Sequence, residues 1–440
     1  MRLTRIPSVR LTALRARNFL AFPGSISQRA ATAQGAPDEW VRRIGRRATG
    51  PAGLEIRPLT LIFGRNSSGK SALIKLIRMA LRAIAEPTTD RRDLDRDPSP
   101  GSRHLPLRID ELDLAPRFID LVHGRFSKEL GLGLELELDD LRCGYDVELL
   151  PADTVGDRSL LLKFWGHEGN DITTLELDLA ATQAAQRAIY LGNEQPELDG
   201  LAPAGQLPRL RRAAHKLDQA VSHLGPLRVR VPPVKSRGAP PVLGYTGACA
   251  PDWLAFDNDL ADRVDAWYRE HMDGCRMQVR PLADAFELST TTVDGTAINL
   301  AQAGEGLHQV LPVVVQQKLH EIDDQTLPIV DLIEQPELHL HDAVHAPLAD
   351  LFMATARLGR GAVIVETHSE GLLLRVRRRI AEGAFDPDDL AIHFVDRDAG
   401  GSFVRRIDVN LHGELNDWPE GVFLESYREV MAMQRAIRSR

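Results

Sequence analysis

Residues 59–77 read LTLIFGRNSSGKSALIKLI. The apolar run Leu59–Phe63 breaks into a glycine, four polar residues, a second glycine and a lysine, then resumes with apolar residues at helical spacing. Gly64, Arg65, Asn66, Ser67, Ser68, Gly69, Lys70 and Ser71 fit the pattern G-x-x-x-x-G-K-[ST], set as that pattern requires between a strand and a helix. Glycines let successive backbone N–H groups turn inward as an anion nest, and the helix starting near Ser71 adds its positive end. Lys70 is then expected to reach the terminal phosphates of a nucleotide, and the Ser71 hydroxyl to ligate Mg²⁺. The bland alternative is a glycine turn that happens to precede a lysine, in a chain where arginine far outnumbers lysine. The loop is read as a phosphate cradle.

A cradle binds phosphate without hydrolysing it, so a carboxylate on a second strand is needed. IVDLIEQPELHLH, residues 329–341, supplies one. Glu334 ends an apolar strand, where it can hold a magnesium ion. Gln335 follows at the position of a general base, Pro336 ends the ladder, and Glu337 lies just beyond. Asp331 sits among apolar neighbours and is expected to face the other way or pack at an edge. A third element, VIVETHSE at 363–370, puts His368 at the exit of a buried strand, able to donate to a γ-phosphate or its attacking water. For Glu334 and His368 taken alone, an ordinary strand-end charge and a surface histidine are the simpler accounts. The phosphate loop tips the balance.

The bulk composition is compatible with this. The chain has 440 residues, 43% hydrophobic and 26% charged, with a net charge of −8. That allows one large or two to three modest domains and argues against a wholesale nucleic-acid coat. Three cysteines, Cys143, Cys249 and Cys275, have no paired spacing, which excludes a disulfide framework or zinc ribbon and fits a reducing cytoplasm. No apolar run approaches the roughly 20 residues of a membrane span. The Arg-rich first 48 residues mimic a transit peptide, but LTALRARNFLAF (11–22) alternates like a strand, so a basic first hairpin is expected. A cytoplasmic protein without a membrane partner follows.

Strands are expected at 11–22 and 54–63, and a helix from Ser71 to Pro87. The polar, proline-bearing 88–106 is an exposed loop, and alternation across 131–179 marks an antiparallel sheet. Helices are expected at 207–223 and across PDWLAFDNDLADRVDAWYREHM (251–272), with a strand pair before residue 300. After 304, strand and helix alternate as in a largely parallel α/β sheet. Three regions are drawn: an N-terminal lobe 1–125, a β-rich and helical insertion 126–300, and a C-terminal lobe 301–440. No sustained heptads suggest a coiled-coil arm.

The order of phosphate loop, LIEQPELHLH and ETHSE, with a long insertion after the first, resembles the ATP-binding-cassette ATPases of the RecF/SMC/OLD type. Within these it resembles stand-alone bacterial AAA-family ATPases related to the ATPase half of OLD nucleases. ARNFLAF, DLVHG (120–124), LGPLR (224–228) and DWPEGVF (417–423) extend the likeness along the chain. The resemblance implies a P-loop fold of ABC-ATPase type with a mixed central sheet, and ATP with Mg²⁺ as cofactors. It assigns Asn66, Gly69, Lys70 and Ser71 to the Walker A loop, Glu334 to the Walker B acid, His341 to the end of the D-loop and His368 to the switch histidine. AGEGLHQVLP (303–312) falls where the signature motif belongs, so Gly304 and Gly306 would point a helix N-terminus at the γ-phosphate held by a second copy. An ATP-sandwiched homodimer or higher oligomer is implied, serving DNA repair or defence against phage, often beside a separately encoded nuclease or other effector.

The departures from that pattern are informative. Gly304 or Ala303 stands where the signature serine is expected, Gln335 replaces the usual catalytic glutamate, and FIDLVHG (118–124) offers no glutamine for the Q-loop. An amide orients water but is a very poor base. Either Glu337 takes over or turnover is slow, leaving two functional readings: an ATPase that drives a partner, or a nucleotide-locked switch with little hydrolysis. HLHDAVH (339–345) mimics metal-ligand spacing, and Asp396 with Asp398 faintly resembles a Toprim acid pair; both are explained more simply by the cassette pattern and by strand-end charge. Arg42, Arg43, Arg46 and Arg47, and Arg375, Arg377, Arg378 and Arg379, form basic clusters that either meet DNA phosphates or are solvated faces.

Overall fold

The computed structural model describes residues 9–26, 28–29, 53–85, 105, 107–125, 129–151, 159–176, 198–199, 202–203, 205–239, 242–322, 327–419, 422–423 and 432–435. The arginine cluster at 42–47 and most of the expected 88–106 loop lie outside these residues.

An N-terminal hairpin, β1 (Val9–Phe19) and β2 (Phe22–Ser25), is followed by β3 (Gln28–Arg29), β4 (Leu54–Glu55), β5 (Leu59–Gly64) and helix α1 (Lys70–Ile84). A meander comes next: β6 (Leu130–Leu138), β7 (Leu141–Pro151), β8 (Ser159–Glu168) and β9 (Asp171–Glu176). Helix α2 (Pro208–Ala220) leads into β10 (Val221–Leu224), and helices α3 (Ala250–Phe256) and α4 (Asn258–His271) precede the pair β11 (Arg276–Pro281) and β12 (Ala285–Thr291). The remainder alternates: α5 (Glu305–Ile322), β13 (Ile329–Glu334), α6 (Asp342–Ala356), β14 (Gly361–Glu366), α7 (Glu370–Ala381), β15 (Leu390–Asp398) and β16 (Gly401–Ile407).

The central sheet has the order β10-β13-β14-β5-β15-β16-β3. From β10 to β15 the strands run parallel, and β16 turns back antiparallel to β15. Parallel strands covered on both faces should be apolar throughout, and β5, β13 and β14 are fully buried along their length. Alternate residues serve different layers. Ile62, Val330, Leu332, Ala362 and Ile364 pack with α1, α2 and the meander, whereas Leu61, Phe63, Ile333, Val363 and Val365 pack with α3 to α7. The result is a mixed α/β fold with a central sheet and inserted β-rich and helical regions, as the sequence predicts, and consistent with a P-loop architecture of ABC-ATPase type. Asp331 faces the α5 layer, where Gln317 Nε2 donates to it at 2.7 Å and His320 Nε2 at 3.0 Å.

Two expectations need correction. The strand drawn from 54 to 63 is two: β4 pairs with β1, and Pro58, which has no N–H to donate, stands between it and β5 in the central sheet. The helix drawn across 251–272 breaks at Asp257, whose carboxylate accepts from Leu260 N at 3.1 Å and caps α4. Across the division drawn at 125/126, β1 pairs along its length with β6. Likewise β10, inside the expected insertion, pairs with β13 of the C-terminal lobe.

The DWPEGVF motif packs behind the phosphate-loop strand. Trp418 meets Phe63 edge-on at 5.6 Å and Phe394 at 5.8 Å between ring centroids, and it stacks on Phe423 at 5.4 Å. Since Phe63 directly precedes Gly64, this cluster braces the root of the loop.

His393, in β15, is fully buried and donates through Nε2 to Glu55 O at 2.7 Å, tying β4 to the central sheet. Burial, reinforced by the Arg406 charge, pulls its imidazole from 6.5 down to about 3. The native chain therefore keeps His393 neutral where the unfolded chain protonates it. Stability is withdrawn as pH falls from the ordinary histidine value towards that lower one, at about 1.4 kcal/mol per pH unit. His393→Gln is expected to flatten the loss of urea-unfolding free energy between about pH 6 and pH 4 relative to the wild type. Parallel slopes for the two proteins would refute the assignment.

Candidate nucleotide site

The loop between β5 and α1 is built around two glycines. A Cβ on Gly64 would lie 2.3 Å from Val395 O and 2.9 Å from Ser68 Oγ. Gly69 caps α1 at φ 104°, and a Cβ there would meet the Ala21 methyl at 2.8 Å. Arg65, Asn66 and Ser67 form the exposed crest, with Ser67 at φ 60°. Ser68 N donates to Arg65 O, and the Ser68 hydroxyl is buried without a partner. Lys70 is 5% exposed and donates to Gly64 O at 3.1 Å and Arg65 O at 2.9 Å, curling over its own loop. Gly69→Ala is expected to lower the melting temperature through strain of about 1–3 kcal/mol and to weaken nucleotide binding. An unchanged melting temperature would mean that the loop relaxes at no cost.

Three carboxylates gather at this end of the sheet. Glu334 and Glu366 are register partners on the adjacent strands β13 and β14, and Glu366 is opposite Ile62 on β5. The Ser71 hydroxyl donates to Glu366 Oε2 at 2.9 Å. Burial first, then the Glu334 charge, pushes the Glu366 carboxyl up to about 7, against the pull of Ser71 and Lys70. Burial lowers the Lys70 ammonium, while Glu366 and Glu337 act to raise it. Lys70, Glu334, Glu337 and Glu366 thus share one electrostatic neighbourhood.

Around Glu334, His223 Nε2 donates to Oε1 at 2.9 Å, Tyr245 OH donates to the same oxygen at 3.4 Å, and Arg228 donates to its backbone carbonyl at 2.7 Å. Desolvation keeps His223 below the usual imidazole range despite the carboxylate. Gln335 has φ 44° and donates its N–H to Glu366 O at 2.7 Å, which locks the exit of β13 onto β14. Both oxygens of Glu337 are engaged: Oε2 accepts from Thr367 Oγ1 at 2.9 Å and Oε1 from His368 N at 2.6 Å. Desolvation and the Lys70 charge hold His368 below its usual value.

Gly304 and Gly306 lie at the first turn of α5. Gly304 is exposed with open space where a Cβ would stand, while a Cβ on Gly306 would lie 2.8 Å from His339 O, in the turn after β13. Gln309 joins this turn to the carboxylates: its amide accepts from Arg228 N at 3.1 Å and donates to Arg228 O and to Glu305, each at 2.9 Å. His341 caps α6, accepting from Ala343 N at 3.3 Å.

The sequence reading overlooked Glu366, His223, Arg228, Tyr245 and Gln309. Glu366 had a signal, being a strand-end acid like Glu334 two residues before His368. The others lie on a short strand (His223), in connectors (Arg228, Tyr245) and on a helix (Gln309), where no pattern marks them. The two lures dissolve. His341 is a cap, His345 Nδ1 shares a hydrogen bond with Ser369 Oγ, and no cluster of three or more His, Cys, Asp or Glu suited to a metal occurs among the described residues. Asp396 and Asp398 accept from the backbone N–H groups of Arg397 and Gly400. Arg375 and Arg379 pair with Asp350, Arg378 and Arg379 pair with Glu382, and Arg377 donates to Gly413 O, as on a solvated face.

An AAA ATPase domain model matches residues 256–373. That stretch contains Glu334, Gln335, Glu337, Glu366 and His368; the phosphate loop lies outside it. A family of unknown function, DUF3696, matches residues 385–433. No curated protein matches the chain's sequence. Among solved structures the chain is similar to an SMC head bound to the C-winged helix domain of ScpA, at 12% identity and TM-score 0.47, covering 91% of this chain and 98% of that one. It is also similar to the SMC head domain from Thermotoga maritima, at 12% identity and TM-score 0.42, covering 91% of this chain and 100% of that one. A Pyrococcus furiosus SMC head with an extended coiled coil, bound to the C-terminal domain of ScpA, is 9% identical with TM-score 0.42, covering 97% and 100%. These likenesses are distant. No helix among the described residues is long and apolar enough to cross a membrane.

The residues fit a magnesium nucleotide. Two glycine positions leave no room for side chains, a buried Ser68 hydroxyl is unsatisfied, and a lysine is turned to carbonyl oxygens beside crowded carboxylates. Hydroxyl and carboxylate oxygens are the donors a hard divalent cation takes.

Proposed function

We propose that this chain is an ATPase of ABC type that closes as a homodimer around ATP and Mg²⁺ and so drives or regulates a partner acting on DNA, in repair or in defence against phage. The observation that carries the reading is that Lys70 and Ser71 open α1 beyond the end of β5 while Glu334 ends β13, with Glu366, at the end of the intervening β14, accepting from Ser71 and in register with Glu334. Backbone N–H groups at the start of α1 and the Lys70 ammonium bind phosphate oxygens; Ser71 and Glu334 hold the cation, which when bound polarises the terminal phosphoryl group. Glu337 acts as a positioning residue, clasping the turn that carries His368, and His368 and Gln335 orient water. The exposed Gly304 turn is the surface offered to the second copy. Arginines 375, 378 and 379 are already paired with acids, which favours a separately encoded nuclease or other effector over direct contact with DNA through that helix.

Light scattering tests the sandwich. With ATP and Mg²⁺ the mass is expected to rise from the 48.7 kDa of one copy to that of two. A mass unchanged by nucleotide, in a protein that binds it, would defeat the dimer.

A second reading has its own support. With an amide at 335 and both Glu337 oxygens engaged, no free carboxylate stands in the place of a base. In that reading ATP binding assembles the switch and hydrolysis is incidental.

A further inference from the structure

Glu366 enters the nucleotide reading only as a bridge between Ser71 and the strand of Glu334, with no chemical role of its own. It is 3% exposed, ends β14 between the phosphate-loop strand and the strand of Glu334, and takes the Ser71 hydroxyl at 2.9 Å. Glu334, at 6% exposed, is its register partner. Two buried acids side by side are costly unless a cation compensates them. Of the nearby protein cations, Lys70 donates its hydrogen bonds to Gly64 O and Arg65 O, and Arg228 donates to the backbone carbonyls of Glu334 and Gln335, neither of them to a carboxylate. An independent sign of an absent guest lies in the same loop, where the Ser68 hydroxyl, 1% exposed, has no partner.

We propose that Glu366 is a direct ligand of the divalent cation, completing with Ser71 and Glu334 a protein-built oxygen site that takes Mg²⁺ or Mn²⁺ before any nucleotide arrives. The proposal rests on the nucleotide reading for its location. It adds that the chain, and not the nucleotide alone, recruits the metal. Three protein oxygens, two of them anionic, are a donor set for a hard cation that keeps some of its waters. Glu366→Gln is the sharp variant, because the amide oxygen still accepts from Ser71 while the charge is gone.

Electron paramagnetic resonance titration of the nucleotide-free, full-length chain with Mn²⁺ reads the site directly. The wild type is expected to bind one Mn²⁺ per chain, Glu366→Gln to bind it at least about tenfold more weakly, and Glu366→Asp to recover part of the loss. A fluorescent ATP analogue in EDTA should bind the wild type, and Glu366→Gln should keep the wild-type circular dichroism spectrum and melting profile, confirming that the variant is folded. The proposal is overturned if the nucleotide-free wild type binds no Mn²⁺, or if Glu366→Gln binds it with wild-type affinity. Failure of the analogue to bind the wild type would instead sink the nucleotide reading, while a Mn²⁺ site lost with Glu366 would still stand.

Discussion

Replacing Lys70 with alanine lowers ATP-dependent phosphate release by about 10²–10³-fold, the scale on which removal of one pre-aimed group at a developing charge is felt. The loss follows from where the ammonium sits. Lys70 is buried, curled over Gly64 O and Arg65 O at the start of a fifteen-residue helix, with Glu366 and Glu337 close enough to bias its protonation. An ammonium fixed there does not have to be recruited when a phosphate enters, and its desolvation makes each charge contact count for more than it would in water. Nucleotide affinity in EDTA should fall as well, since Lys70 binds ground state and transition state alike. Circular dichroism and melting temperature should stay near wild type, because the side chain spans only its own loop. A variant that releases phosphate at the wild-type rate would show that the loop is not the phosphate site, and the functional proposal would go with it.

How far the sequence could be read follows from how local each signal was. The phosphate loop was legible because a glycine that tolerates no Cβ, a second one at positive φ and a lysine must lie within eight residues of one another. Glu334 was legible because the phosphate loop calls for an acid on a second strand, and an acid closing an apolar strand answers it. The alternation of the meander and of the C-terminal lobe likewise declared itself. What stayed hidden depends on contacts between distant segments. Nothing in VSHLGPLR (221–228) says that His223 will meet Glu334 and that Arg228 will grip the carbonyl of Glu334, because both follow from β10 pairing with β13 across a hundred residues. The pairing of β1 with β6, more than a hundred positions on in the chain, is hidden for the same reason. Glu366 shows a different failure. It ends its strand as Glu334 does, but the histidine two residues on carries the only chemical signal in VIVETHSE that the pattern singles out, and only the Ser71 hydrogen bond restores the acid to the site.

Gln335→Glu is expected to raise turnover by about 10²-fold or more, within the range that a positioned general base contributes. The wild-type amide can hold a water by hydrogen bonding but cannot accept its proton. A carboxylate at the same place can, and the surroundings would tune it: Glu334, Glu337 and Glu366 are all close at hand, and like charges in a desolvated pocket raise a carboxyl towards the neutral range where a base works best. The backbone should tolerate the change, because position 335 is held by its own N–H to Glu366 O and not by its side-chain chemistry. Glu337→Gln makes the complementary measurement. The remaining oxygen can still accept from His368 N while the new NH₂ donates to the Thr367 hydroxyl, so the clasp on the 367–369 turn loses its charge and weakens, and any wild-type turnover should drop severalfold through looser placement of His368. Steady-state phosphate release from the three proteins therefore separates the two functions. An inert wild type with an active Gln335→Glu makes the chain a nucleotide switch whose glutamine keeps it closed. A slow wild type that Gln335→Glu accelerates makes it an ATPase throttled at one position. Fast wild-type release that Gln335→Glu leaves alone and Glu337→Gln abolishes would give the proton to Glu337, and the positioning role argued for that residue would be wrong.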